Sequence, residues 1–300
     1  DGRPLQARTR LLQERPGWTA HEVVVDVLPG VFAWGYLLVP KGIRPGERRP
    51  VVVTQHGVRG LPADVINEDP AARAHRTYRA FAVRLAERGF IVFAPHNPYR
   101  GDDDSRVLQR KAQPIGKTIF SIIVAQHDRI LDFLSGLPQV DPARIAFYGL
   151  SYGGQTAMRV PVLLERYALA ICSGDFNEWT WKNATSESPR AYLYNDAYER
   201  PEFRMGLRFG YAELAALMVP RPFMVERGHD DTVAYDEWVA FEYAKVFRLY
   251  HKLGLADRTA IEYFNGPHTI HGQGTFRFLH HHLNWPEPAA GAGRLLSNPP

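Results

Sequence analysis

The chain has 300 residues, 45% of them hydrophobic and 23% charged, with a formal net charge of +4. That balance excludes global disorder and supplies a sizeable core for one large domain or two small ones. It carries no dense Lys/Arg stripe: the arginines from Arg3 to Arg15 and from Arg44 to Arg49 read as solvated surface, so nucleic acid is not an expected partner. No run of about 18 apolar residues exists to span a membrane.

In chain order, residues 1–20 are polar and Arg-rich and read as an extension, a short helix lying on the surface. His21–Leu28 and Phe32–Val39 alternate as strands around Pro29-Gly30, a hairpin turn signal whose edge is open to pairing with another chain. Lys41–Pro50 is a loop, and Val51–His56 is a continuous apolar run of the kind buried on both faces of a parallel sheet. Strands and helices then alternate: a helix over about 71–88, a strand at Phe90–Ala94, a loop to about 117 and a helix over about 118–135. A strand at Arg144–Tyr148, a helix from Gly154 and a strand over about 167–173 follow. An aromatic-rich segment over about 174–220 interrupts the rhythm. Strands at Pro222–Glu226 and Thr259–Phe264, with helices over about 235–253 and 273–284, complete it. The tail from Trp285 reads as loosely ordered. The pattern is α/β, a doubly wound, mostly parallel sheet in which ligands collect beyond the C-terminal strand ends. One domain over 21–284 accounts for it, with 174–220 as a lid-like insertion and 285–300 as a tail.

Between the strand at 144–148 and its helix stands Gly149-Leu150-Ser151-Tyr152-Gly153. This G-x-S-x-G pattern makes a turn so tight that small residues must flank the serine, whose hydroxyl is then held out into a cleft. A bare pentapeptide is common and its serine can simply cap a helix; the strand-turn-helix context makes Ser151 a nucleophile candidate.

With Gln55-His56-Gly57 and Phe264-Asn-Gly-Pro-His268 at two other strand ends, the chain resembles the α/β-hydrolases over about residues 21–284, and more narrowly their dienelactone-hydrolase-like and acetyl-xylan-esterase-like branch. The resemblance implies a serine esterase that needs no cofactor or metal. A serine hydroxyl needs a base and an oriented third group. His268, nearest the last strand end, is the expected base and His271 the alternative. The acid is expected in Arg227-Gly-His-Asp-Asp-Thr-Val233. Counting from Gly228 gives Asp231 and counting back from Val233-Ala234 gives Asp230; Asp231 is favoured, and Glu226 is a weaker option. The oxyanion donors implied are the backbone N–H groups of Tyr152 and Val58, with Gly57 allowing close approach.

His56, Asn97, Trp179 and Trp181 are the expected pocket residues, with His56 expected to brace its loop rather than react, and His96, Tyr99 and Arg100 as further polar contacts. The aromatics from Phe176 to Tyr211 form either a lid or a satellite core, and their faces suit sugar rings or aryl groups. The expected substrate is therefore a small-molecule or oligosaccharide ester, acetylated or aryl-substituted. A peptidase of the prolyl-oligopeptidase type, a lactone hydrolase and a non-catalytic scaffold are the alternatives. Cys172 reads as a buried structural thiol, and His280, His281 and His282 as helix surface rather than a metal site. Asn183-Ala-Thr185 matches a glycosylation sequon. The start at Asp1 favours export, after removal of a leader, over the cytoplasm. Oligomeric state is not readable.

Overall fold

The computed structural model describes residues 4–98, 102–194, 202 and 205–288, residues 102–105 by backbone alone. Among these, nine strands form one sheet: β1 (Arg8–Glu14), β2 (Trp18–Leu28), β3 (Val31–Pro40), β4 (Arg49–Gln55), β5 (Ile91–Pro95), β6 (Val140–Leu150), β7 (Leu169–Ser173), β8 (Phe223–Gly228) and β9 (Thr259–Phe264). Their spatial order is β1-β2-β3-β5-β4-β6-β7-β8-β9. The first three run antiparallel, β3 meets β5 antiparallel, and every pair from β5 to β9 is parallel. The expected hairpin is β2–β3, closed by Pro29 and by Gly30 at φ 76°.

Successive side chains of a strand point to opposite faces, and both faces are dry here. Val51 and Val53 of β4, Ile91 and Phe93 of β5, and Ile145 and Phe147 of β6 enter one core. Val52, Val92, Ala94, Ala146 and Tyr148 enter the other. The helices are α1 (Pro62–Val65), α2 (Arg73–Tyr78), α3 (Phe81–Glu87), α4 (Asp102–Ala112), α5 (Phe120–Ser135), α6 (Tyr152–Ala157), α7 (Trp179–Ala184), α8 (Tyr211–Ala216), α9 (Asp236–Lys252) and α10 (Gly274–His282). α5, α8 and α9 pack on the first face, α3 and α10 on the second. Cys172 is buried and free. Among the described residues no helix is long and apolar enough to cross a membrane.

Four expectations are corrected. Residues 8–14 form the edge strand β1, not a helix. Arg8–Asp26 and Arg10–Glu22 ion pairs tie β1 to β2, so no apolar alternation marks it. The helix over 71–88 is two helices, broken where Arg79 and Ala80 take φ 54° and 50°. The expected loop before 117 contains α4. Trp285 is anchored rather than loose: its indole N–H donates to the Arg88 carbonyl at 2.9 Å, and the Arg49 guanidinium lies 5.5 Å from the ring centroid.

Candidate active site

β6 ends at Leu150 and α6 begins at Tyr152, leaving Ser151 alone at the turn with φ 62° and ψ −119°. A serine at positive φ is strained by about 1–3 kcal/mol and persists only where its surroundings over-determine it. Here the Ser151 N–H donates to the Ser173 carbonyl at 2.9 Å, and the Ser151 carbonyl accepts from Gln155 N–H at 2.8 Å. The glycines are required by contact. A Cβ on Gly149 would run into the Gly153 carbonyl, one on Gly153 into the Gln55 carbonyl, and one on Gly154 into the Ser173 carbonyl.

The strand ends bring two of the predicted residues together. His268, after β9, donates from Nδ1 to Oδ2 of Asp231, after β8, at 2.7 Å. Asp231 is 1% exposed. Its other oxygen, Oδ1, accepts from Val233 N–H at 2.8 Å. Burial raises the Asp231 carboxyl, but the His268 hydrogen bond and charge, the Val233 amide and the Arg227 guanidinium outweigh it, so the carboxyl sits below its ordinary value. The His268 ring packs on Gly174: a Cβ there would lie 2.8 Å from Cε1 and 3.0 Å from Nδ1. Gly174 follows the residue whose carbonyl receives the Ser151 amide.

The alternatives lie elsewhere. Asp230 is exposed, its amide donating to the Gly266 carbonyl at 3.0 Å. His271 stacks on Phe264 and pairs with Glu262 at 3.0 Å. Glu226 is buried under the site. It accepts from the hydroxyls of Tyr148 and Ser173 at 2.8 and 2.6 Å, and from the Gly272 amide at 2.9 Å. Burial raises its carboxyl.

The loop after β4 approaches the serine closely. A Cβ on Gly57 would lie 3.1 Å from Ser151 Cβ and 3.4 Å from its Oγ. The Gly57 amide itself donates to the Tyr78 hydroxyl at 2.8 Å, which leaves the next amide, that of Val58, as the donor candidate in this loop. The Tyr152 amide opens α6, where first-turn amides have no partner inside the helix.

His56 and Asn97 do not line a pocket; both are 1% exposed. His56 donates from Nδ1 to the Gly57 carbonyl at 2.7 Å and accepts at Nε2 from Asn97 N–H at 3.2 Å. Burial pushes its pKa down to about 3, so it is a neutral brace. Asn97 Nδ2 donates to the Thr156 hydroxyl at 2.7 Å, tying the loop after β5 to α6. Trp179 is also corrected from pocket to core: it is 1% exposed and stacked on Tyr211, ring centroids 5.1 Å apart. Trp181 is 58% exposed and meets Trp238 edge-on. The stretch after Trp181 leans on the acid loop: Lys182 Nζ donates to the Val233 carbonyl, and Arg190 Nη1 to the Ala234 carbonyl at 2.5 Å. Tyr99, Arg100, Tyr198 and Phe203 lie outside the described residues.

Among the described residues no group of three or more His, Cys, Asp or Glu side chains is placed to hold a metal ion. In α10, His280 is corrected from surface to interior: it is 3% exposed, packs on Phe90 and pairs with the Trp285 carbonyl at 3.0 Å. Sequence reasoning missed Tyr78 and Arg227. Tyr78 carries no motif, and Arg227 reads as an ordinary loop arginine.

An open, mostly parallel sheet with a strained serine at one strand end and an aspartate–histidine pair at two others defines an α/β-hydrolase fold, and the solved structures agree. The acetyl xylan esterase of Paenibacillus sp. R4 superposes with a TM-score of 0.65 at 19% identity, over 93% of this chain and 89% of that one. A glucuronoyl esterase of Solibacter usitatus gives 0.66 at 14% identity, over 95% and 88%. YtaP of Bacillus subtilis (strain 168), provisionally named a hydrolase, is 22% identical over 263 residues, 86% of this chain and 85% of YtaP. No family model matches the chain.

Proposed function

We propose that the protein is a serine-dependent carboxylic ester hydrolase acting on acetylated or aryl-substituted carbohydrate esters. The observation that carries the reading is the 2.7 Å pairing of His268 Nδ1 with Asp231, beside the elbow that strains Ser151. With Nδ1–H committed to the carboxylate, Nε2 is the basic nitrogen of the ring. In the proposed reaction Ser151 Oγ attacks the ester carbonyl carbon and its proton passes to His268 Nε2. The amides of Tyr152 and Val58 donate to the developing oxyanion. The C–O bond to the alcohol breaks, the alcohol leaves with the proton from Nε2, and an acyl-Ser151 ester remains. Water, deprotonated by the same nitrogen, attacks that ester; the acid departs and Ser151 recovers its proton. Asp231 stays ionised throughout and orients the ring.

The substrate class is supported by the carbohydrate esterases that share the fold and by the exposed Trp181 on the segment that leans on the acid loop. The test is hydrolysis of nitrophenyl acetate, longer acyl esters and a ferulate ester, alongside acetylated xylo-oligosaccharides, by wild type and Ser151→Ala. Turnover that vanishes in Ser151→Ala and extends to the oligosaccharides is expected. Turnover that survives in Ser151→Ala overturns the mechanism.

A further inference from the structure

Beyond the candidate acid runs a chain of ionisable groups, Arg227, Asp236 and His229, that the reaction above does not use. Arg227, the next-to-last residue of β8, is 3% exposed at its side chain, and its Nη1 lies 3.3 Å from the same Asp231 Oδ2 that receives His268. Nη2 donates to the backbone carbonyls of Asp231 and Ala234 at 2.9 and 2.8 Å, which fixes the acid loop. Nε donates to Asp236 at the start of α9 at 2.9 Å, and the other Asp236 oxygen pairs with His229 Nδ1 at 2.5 Å. The order is His268, Asp231, Arg227, Asp236, His229, running from the cleft to a histidine that is 45% exposed.

Resting on the triad reading, we propose that Arg227 is a positioning residue that sets the pH window of His268 by sharing the charge of Asp231, and that Asp236 sets how large that share is. A buried carboxylate needs a counter-ion, and Arg227 supplies it. The same cation opposes protonation of His268, because a carboxylate already facing a guanidinium stabilises an imidazolium less. Asp236 draws the guanidinium charge the other way. The other charged groups around this loop act at its edge: Lys182 from α7 and Arg190 meet the Val233 and Ala234 carbonyls, Asp230 is exposed, and His229 stacks on Tyr263. On the opposite side His268 meets Gly174, next to the Leu150 side chain.

The test is kcat/KM for nitrophenyl acetate against pH in the whole protein. Arg227→Gln removes the opposing cation, so the acidic limb moves to higher pH by about 0.5–1 unit. On that limb this reads as an about threefold to tenfold loss at fixed pH. Asp236→Asn frees the cation to act on Asp231 and moves the limb to lower pH. Arg227→Lys keeps the charge and keeps the limb near its wild-type position while lowering thermal stability. Opposite shifts separate charge sharing from loss of structure, which moves both variants in activity but neither in pH. If Arg227→Gln does not fold, Asp236→Asn decides, since that side chain is 34% exposed. An unmoved limb in Asp236→Asn, with Ser151→Ala inactive, overturns the proposal. Full activity in Ser151→Ala marks failure of the triad reading instead.

Discussion

Asp231 and His268 are 37 residues apart in the chain and joined by a 2.7 Å hydrogen bond, while Asp230, one residue away, faces solvent. The two aspartates are therefore predicted to differ sharply. Asp231→Asn leaves the ring without its orienting anion and is expected to lower kcat by about 10³–10⁴. Asp230→Asn is expected to leave kcat unchanged and stability within about 0.5 kcal/mol. Steady-state kinetics with nitrophenyl acetate checks both; equal losses would assign the acid wrongly.

The contrast explains what a sequence of this kind exposes. The elbow is legible because Gly149 and Gly153 each lie against a backbone carbonyl, a constraint written in residue type. The candidate acid is legible only to within one residue. Its choice depends on a turn in which the Asp231 amide reaches back 3.1 Å to the Gly228 carbonyl, and either aspartate fits the spacing. His56 braces its loop as expected, but His56, Asn97 and Trp179 do not line the pocket, because residue type in a loop or short helix beyond a strand end does not reveal whether a side chain points into the cleft or under it. β1 escapes notice because ion pairs replace the apolar alternation that marks a strand. The parallel series is plain because Val51–Val53 and Ile91–Phe93 feed two dry faces at once.

Tyr78 is predicted to tune the candidate oxyanion loop without touching substrate. Its hydroxyl accepts the Gly57 amide at 2.8 Å, and burial pushes its pKa up to about 12, so it acts as a neutral group. Tyr78→Phe leaves that amide unpaired beside the serine, at a cost of about 1–3 kcal/mol. The Gly57–Val58 peptide then loses its anchor, and kcat is expected to fall about tenfold with KM little changed. A loss of thermal stability alone, with kcat intact at equal folded fraction, would contradict the role.

Two buried histidines predict the pH dependence of stability. His56 and His127 are both held by burial at about 3, against an ordinary 6.5. Between those values the unfolded chain binds protons that the folded chain refuses, so stability is full above about 6.5 and falls as pH drops toward 3. Unfolding near pH 5 is expected to be accompanied by the uptake of about two protons by these residues. Asp231 acts in a lower window: its depressed carboxyl contributes above the ordinary 3.8 and loses that contribution as pH falls through its folded value. Thermal denaturation at several pH values, in wild type and His127→Gln, tests this. The variant should lose about one proton of the slope; an unaltered slope would show that His127 titrates freely in the folded protein.

The last prediction separates the two tryptophans of α7. Trp179 is 1% exposed, stacked on Tyr211, with the Arg159 guanidinium 4.9 Å from its ring. Truncating so large a buried ring costs about 3–5 kcal/mol, so Trp179→Ala is expected to lower the thermal midpoint by several degrees and to reduce activity on every ester alike. Trp181 shares the helix but is 58% exposed, with an edge contact to Trp238. Trp181→Ala should leave stability within about 0.5 kcal/mol. If its face stacks on a sugar ring, as the proposed substrate class requires, KM for acetylated xylo-oligosaccharides rises while KM for nitrophenyl acetate, which has no sugar to stack, stays put. Parallel kinetics on the two substrates decide the point: equal KM changes on both would remove Trp181 from the substrate site and leave it a surface residue.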